Sequence, residues 1–231
     1  MKGIYIALIL LLSLSCRESP KKSLGGDLTA QEIVDRAIAV SGGAKYRDHS
    51  GSFVLRDYRY AFGHKAGKSV LQRSFRSGTD SIVDVRYANG FQRYVNGHAV
   101  QLPDSMAVKY ANSINSVHYF VRLPQGLNDG AVNKELLGTE SLGGKQYHKI
   151  RVTFDQKGGG DDFEDTYIYW FDTQSFETDY LAYDFHVQGG GQRFRKAYNP
   201  RDVKGIRFVD YENYKPNSTG SALEEIGRAH V

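Results

Sequence analysis

Between residues 51 and 214, hydrophobic side chains recur mainly at every second position, and short turn motifs separate the runs. A period of two places alternate side chains on opposite faces of a β-strand. Ser77-Gly78 and Asn89-Gly90 are turn signals between such runs. Connections this short join antiparallel neighbours, because parallel strands need a crossover of a dozen or more residues. The alternation therefore predicts a fold dominated by antiparallel strands.

Two segments depart from this period and predict helices. Thr29 and Glu32 form a capping box, and apolar residues follow at helical spacing as far as residue 40. A second apolar stripe begins near Pro103 and ends before Pro124. We expect a mainly β (α+β) fold, a curved antiparallel sheet or unclosed β-barrel of about ten strands, with an N-terminal helix and one inserted helix. We place one strand at residues 52–60 and a turn at residues 199–202.

The N-terminus has the features of an exported lipoprotein. Lys2 precedes a short apolar run and then Cys16, the only cysteine in the chain. A run of this length is typical of a signal peptide, since a membrane-spanning helix needs about 20 residues. We predict a signal peptide at residues 1–15, lipidation at Cys16 and a polar tether at residues 16–27. An ordinary signal peptide with an incidental cysteine is the alternative.

The last residues of the chain are expected to have a different origin. Residues 225–231 resemble the translation of a common sequencing adapter, so we exclude them from the fold. Residues 28–224 are then expected to form a single β-rich domain, which is long enough to bury a core.

Charge and cysteine content exclude several classes of function. The net charge is +4, and acidic and basic residues are interspersed along the chain, so no basic block predicts nucleic-acid binding. With Cys16 lipidated, no disulfide can form. The membrane, reached through the N-terminal lipid, is the expected partner. Lipid or another apolar molecule is the possible ligand, and no cofactor is expected.

The order of elements and several sequence strings resemble known families. One helix, a series of meandering strands and an inserted helix resemble the unclosed barrel of the LolA and LolB lipoprotein carriers, in which a curved sheet wraps helices around an apolar hollow. The strings at residues 115–120, 158–165, 189–195 and 205–214 resemble a family of uncharacterised secreted lipoproteins of Bacteroidota, a domain of unknown function. The resemblance implies an anchored envelope protein, most simply at the outer membrane. It implies no chemistry.

Two triple-glycine loops provide the first candidate site. If the strands alternate in direction, the loops at residues 158–160 and 189–191 lie at the same end of the sheet, two strands apart. A polar ligand or metal could bind there, although two solvated glycine-rich loops are the favoured alternative. The sequence assigns no catalytic residue and no metal site. The polar candidates are Asp161, Asp162, Asp165, His186, Arg193 and Arg195.

Strand parity provides the second candidate site, an apolar hollow, although ordinary core packing explains any single residue equally well. We expect a carrier or sensor that binds an apolar or amphiphilic molecule. A hydrolase at the glycine loops and a structural or interaction lipoprotein remain as alternatives, and enzymatic activity is the less favoured reading. The candidates for the hollow are Leu181, Tyr183, Phe185, Phe194, Ile206 and Phe208.

Overall fold

A computed structural model describes residues 28–65, 68–159, 163–186, 189–216 and 222–225. Three α-helices lie in these ranges: α1 (Ala30–Val40), α2 (Lys45–Asp48) and α3 (Asp104–Val121). A 3-10 turn, Gln125–Asn128, follows α3. Among the helices described, none combines the length and the apolar character that crossing a bilayer requires.

Twelve strands form two antiparallel six-stranded sheets, each a simple meander in chain order. The first sheet contains β1 (Gly51–Leu55), β2 (Tyr58–Lys65), β3 (Lys68–Ser77), β4 (Asp80–Tyr87), β5 (Gly90–Val95) and β6 (His98–Val100). The second sheet contains β7 (Val132–Leu142), β8 (Lys145–Phe154), β9 (Tyr167–Asp172), β10 (Thr178–Phe185), β11 (Gly191–Val203) and β12 (Ile206–Tyr214).

The expected fold class is confirmed, as an unclosed, mainly β structure with an N-terminal helix and an inserted helix. The strand count is twelve rather than about ten, partly because residues 52–60 are not one strand. The chain reverses at Arg56, whose φ of 54° lies in the left-handed region. Because this turn contains no glycine, the usual sequence signal for it is missing.

The hairpin between β11 and β12 also differs from the sequence prediction. The turn expected at residues 199–202 is wrong, since the reversal occurs at Lys204 and Gly205, which have φ values of 56° and 78°. Two positive φ values in a two-residue turn match the right-handed twist of a hairpin. The register instead shifts between Tyr198 and Arg201, which makes a β-bulge. Proline at position 200 is tolerated there because it has no backbone N–H, and a residue in a bulge does not have to donate a hydrogen bond to the neighbouring strand.

Helix α1 is fixed at its start and along one face. The Thr29 hydroxyl accepts from the Glu32 backbone N–H, and the Glu32 carboxylate accepts from the Thr29 backbone N–H, so the predicted capping box is confirmed. Ile33, Val34 and Ala37 are fully buried and join the main hydrophobic cluster with residues of β8, β9 and β10. The helix thus covers the inner face of the second sheet.

Strand β9 is buried at every position. Tyr169 and Phe171 face the helices in the main cluster, whereas Ile168 and Trp170 belong to a second cluster on the other face of the sheet. Leu223, near the end of the chain, is buried in that second cluster. A strand in contact with apolar groups on both faces must lie in the middle of a layered structure. The second sheet therefore has a hydrophobic core on each face. Helices cover the core that contains Tyr169 and Phe171.

The first sheet holds a buried charge cluster that the sequence pattern does not predict. Asp84 on β4 is fully buried and accepts from Arg73 Nη2 at 2.7 Å and from Arg93 Nε at 2.7 Å. The guanidinium carbon of Arg93 lies 4.1 Å from the ring centroid of Tyr110 on α3. Two cations share one carboxylate here, and the ring of Tyr110 packs against both.

Candidate ligand-binding site

An apolar cavity of about 260 Å³ lies between β1, an edge strand of the first sheet, and the β11–β12 hairpin at an edge of the second. We call it the seam cavity. No backbone ladder joins β1 to β12 within the described residues, so side chains alone occupy this gap. Its apolar lining comes from both sheets and from the end of α3: Phe53, Val54, Leu55, Phe62, Val121, Val203, Ile206, Phe208 and Val209.

Three apolar side chains at the seam cavity are exposed to solvent. Val54, Leu55 and Val203 have relative exposures of 68%, 44% and 48%. A single exposed aliphatic side chain is ordinary on a protein surface, but a group of them at the mouth of an apolar cavity marks a binding surface. The same lining also contains polar residues: His49, Ser50, Ser52, Arg201, Lys204 and Asp210.

A second cavity, of about 410 Å³, adjoins the seam cavity. Ligand sites for small molecules have volumes of roughly 300–1,000 Å³, so the two spaces together are of the right size. We call this one the adjoining cavity. It shares Leu55, Val121, Val209 and Asp210 with the seam cavity, and it adds a more polar set: Arg56, Ser116, Val117, Phe120, Arg195, Tyr198, Tyr211 and Asn213.

A third cavity, of about 570 Å³, lies where α1, α2, α3 and the 3-10 turn meet. Three buried nitrogen atoms of its lining, His118 Nδ1, Arg122 Nε and Gln125 Nε2, have no hydrogen-bond partner among the described residues. Asp35 and Asp129 line the same space, and burial raises the pKa of Asp129. We call this space the polar cavity. Groups of both charge signs face it, so its charge does not select one class of ligand.

Aromatic rings separate the polar cavity from the seam cavity. The His118 ring lies edge-on to Phe53 and Phe62 of the seam lining, with centroid distances of 5.5 and 6.3 Å. Tyr46 of the polar cavity packs against Phe208 of the seam cavity at 6.0 Å. Burial lowers the pKa of His118 to about 4, so the ring is neutral at physiological pH. An apolar ligand in the seam cavity would therefore have no charged group behind the aromatic side chains on the His118 side.

The residues expected in an apolar hollow divide into three groups. Ile206 and Phe208 line the seam cavity. Leu181 and Tyr183 are buried in the main hydrophobic cluster, and Phe185 packs against it. Phe194 faces the opposite side of the second sheet, where its ring stacks on Tyr180 at 5.7 Å. Phe194 pairs with Ala182 across the ladder, and this register sets its face.

The two glycine loops lie at the same end of the second sheet, as the alternating strand directions require, because β8 to β11 are consecutive neighbours. Asp165 and His186 meet there, with 3.3 Å between Asp165 Oδ1 and His186 Nδ1. Arg193 instead stacks on Phe185, and Arg195 lies in the adjoining cavity. Asp161 and Asp162 lie outside the described residues, within which no group of three or more His, Cys, Asp or Glu side chains could hold a metal.

The predicted signal peptide, Cys16 and the tether also lie outside the described residues, as do residues 226–231. Glu224 is described, and its carboxylate and backbone carbonyl accept hydrogen bonds from Arg151 and Lys149 respectively. The lipid anchor, the domain bounds and the adapter origin of the last residues therefore remain predictions.

Sequence reasoning missed Phe53, Val54, Leu55 and Val203 as candidate ligand contacts. One signal was present. Val54 and Leu55 are consecutive apolar residues at the end of a strand, where strict alternation would place one polar side chain. The seam cavity was hard to predict for a topological reason. It forms between strands about 150 residues apart in the chain, whereas a meander order predicts contacts only between consecutive strands.

Comparison with known proteins identifies a family and several similar folds. A family model described as a family of unknown function, DUF6503, matches residues 52–226. No curated protein matches the chain. Among solved structures, a LolA superfamily protein from Nitrosomonas europaea is 14% identical, with coverage of 84% of this chain and 89% of that chain and a TM-score of 0.48.

Two further structures are similar at lower scores. A DUF1329 family protein from Desulfovibrio piger is 12% identical, covers 82% of this chain and 87% of its own, and has a TM-score of 0.43. The lipoprotein LppX from Mycobacterium tuberculosis is 12% identical, covers 62% of this chain and 77% of its own, and has a TM-score of 0.26. Function therefore has to be argued from the cavities themselves.

Proposed function

The chain belongs to the DUF6503 family of unknown function, and we propose that it binds an apolar or amphiphilic molecule in the seam cavity, as a carrier or sensor anchored in the cell envelope. The observation that carries the proposal is the position of Val54, Leu55 and Val203, which are exposed at the mouth of an apolar cavity. Leaving such side chains in water costs about 25 cal/mol for each Å² of apolar surface. A bound apolar ligand would recover that free energy.

The walls of the seam cavity support the same proposal. Phe53, Phe62 and Phe208 supply flat apolar surfaces, and Val121 adds an aliphatic side chain from the end of α3. The charged groups of the lining, Arg201, Lys204 and Asp210, lie on the β11–β12 hairpin, where a polar end of the ligand could stay in contact with water. This division of apolar and polar lining suits an amphiphile better than a wholly polar molecule.

The first experiment is native mass spectrometry of the chain from Arg17 onwards, which retains every described element, followed by extraction with organic solvent. We expect a stoichiometric apolar molecule, or uptake of a long-chain alcohol by the emptied protein. A protein that carries nothing and takes up no long-chain compound would contradict the proposal and favour an interaction role.

A matched pair of variants then locates the ligand. Leu55→Asp places a charge at the cavity mouth, and Val108→Asp places the same charge at an exposed position of α3 outside the three cavities. Leu55→Asp should weaken binding by at least about tenfold, equivalent to ~1.4 kcal/mol. Val108→Asp should leave the affinity unchanged. Equal effects of the two variants would place the ligand elsewhere.

A further inference from the structure

The adjoining cavity contains an arginine that no described acidic group neutralises. Within the described residues, no carboxylate forms an ion pair with Arg195, whereas Arg73, Arg93, Arg151, Arg201 and Arg207 each have one. Its Nε is buried and has no hydrogen-bond partner in the same part of the chain. A buried donor on a charged group without an acceptor is costly, and proteins normally provide a partner for it.

The remaining contacts of Arg195 hold its guanidinium group in place. Its carbon lies 3.6 Å from the ring centroid of Phe120 on α3, and Nη2 donates to the Tyr183 hydroxyl at 2.9 Å. The nearby Tyr211 does not neutralise it, because burial raises the pKa of Tyr211 to about 12 and keeps the phenol uncharged. The cation is therefore fixed between a helix and a sheet, and its Nε has no acceptor among the described residues.

The other charged groups of the adjoining cavity leave it positive. Arg56 contributes a second cation. Asp210 is the acidic residue of the lining, and it already accepts from Arg201 at 2.9 Å and from Asn199 at 2.8 Å. Ser116 and Asn213 add neutral hydrogen-bonding groups. This set suits an oxyanion, which an arginine can bind through two N–H groups at once.

We infer that the adjoining cavity receives the acidic headgroup of an amphiphile, a carboxylate or phosphate bound by Arg195, while the apolar chain lies in the seam cavity. This inference rests on the proposed function and narrows it to anionic amphiphiles. The shared lining residues, Leu55, Val121 and Val209, make the two spaces neighbours, so that one molecule can occupy both.

The test compares palmitate with hexadecanol, which has the same chain length and no charge. We expect wild-type protein to bind palmitate at least about tenfold more tightly, since a hydrogen bond between two charged groups is stronger than one between neutral groups. Arg195→Gln should remove this preference and leave the affinity for hexadecanol unchanged. Arg193→Gln is the matched control, because Arg193 lies on the same strand and lines neither cavity.

Each other outcome has a separate meaning. Equal affinity of wild-type protein for both probes would overturn the headgroup site and leave the proposed function standing, whereas binding of neither probe would overturn the proposed function itself. Equal weakening of both probes by Arg195→Gln would assign the residue to packing alone. Acetate or inorganic phosphate binding as tightly as palmitate would indicate a site for a free anion and overturn the inference.

A second variant protects the test against a folding defect. Arg195→Lys keeps the positive charge but loses the planar group that stacks on Phe120. It should retain part of the preference for palmitate, and the preference should fall as salt is added. A folded Arg195→Lys protein, verified by circular dichroism, with no preference at low salt would contradict a charge-based site.

Discussion

The hydroxyl groups of Tyr119 on α3 and Tyr169 on β9 lie 2.8 Å apart, and Tyr169 is fully buried whereas Tyr119 is partly buried. This hydrogen bond joins the helix that covers the first sheet to the central strand of the second. Burial raises the pKa of both phenols, so they remain neutral and one donates to the other. The two halves of the molecule are thus connected through a polar contact inside an apolar cluster.

Removing one of these hydroxyl groups should cost more than removing both. Tyr169→Phe leaves the hydroxyl of the partly buried Tyr119 without this partner, so we expect a loss of about 1–2 kcal/mol in the free energy of unfolding. The double variant with Tyr119→Phe should be within about 1 kcal/mol of wild type. Urea unfolding of wild type, the two single variants and the double variant gives the coupling energy between the two hydroxyl groups. If the losses in the free energy of unfolding are additive, the two hydroxyl groups do not depend on each other.

Asp84 should be among the residues on which stability depends most. Asp84→Asn leaves Arg73 and Arg93 without their shared counter-charge, and breaking a buried pair in this way costs about 3–5 kcal/mol. Asp210→Asn breaks the ion pair with Arg201, which is largely open to solvent, and should cost less than about 1 kcal/mol. Comparable losses in thermal unfolding for the two variants would show that the buried cluster contributes no more than a surface pair.

His118 should make the protein sensitive to mild acid. Its pKa in the folded protein is about 4, below the value of roughly 6.5 for an unfolded histidine, because burial disfavours the charged ring. The stability that depends on a neutral His118 is therefore fully present above pH 6.5 and is lost as the pH falls towards 4. The loss should be on the order of 3 kcal/mol.

The measurement is urea unfolding at pH 7.5 and pH 4.5. His118→Gln should show a smaller difference in stability between the two conditions than wild type. His98→Gln, at an exposed position in β6, should behave as wild type does. An unchanged difference in the His118 variant would assign the acid sensitivity to carboxylates instead.

Leu223 should stabilise the outer face of the second sheet. It packs in the cluster that contains Trp170, the only tryptophan, whose Nε1 donates to Glu140 Oε2 at 2.9 Å. Leu223→Ala should cost about 2 kcal/mol, at the lower end for a buried leucine, and shift the Trp170 fluorescence to longer wavelength as water approaches. Val108→Ala, on an exposed part of α3, should change neither quantity.

The sequence predicts the elements better than the spaces between them. Period-two alternation and the Thr29–Glu32 capping box identify the strands and α1, because both depend on neighbours along the chain. The turn at Arg56 and the bulge near Asn199 escape prediction, because residues other than glycine adopt positive φ there. Local chemistry alone does not disclose such strain.

The candidate site is less predictable for a different reason. Phe194 and Phe208 are equally apolar in the sequence, yet one lies in the outer cluster and the other in the seam cavity. Strand register places Phe194 in the outer cluster, and the approach of two sheet edges places Phe208 in the seam cavity. The hydrophobic period of the sequence predicts neither of these. Arg195 is similar, since only the folded arrangement of the neighbouring strands and α3 shows that no described carboxylate pairs with it.

The gap between β1 and β12 has a mechanical consequence. Each of these strands is hydrogen-bonded to one neighbour within its own sheet, β1 to β2 and β12 to β11. Moving the β11–β12 hairpin away from β1 therefore breaks no rung of either ladder, and the backbone hydrogen bond from Arg207 N–H to the Ser41 carbonyl ties β12 to the end of α1. The mouth of the seam cavity can widen while both sheets stay intact. A long molecule could then enter sideways, along its whole length, without unfolding of either sheet.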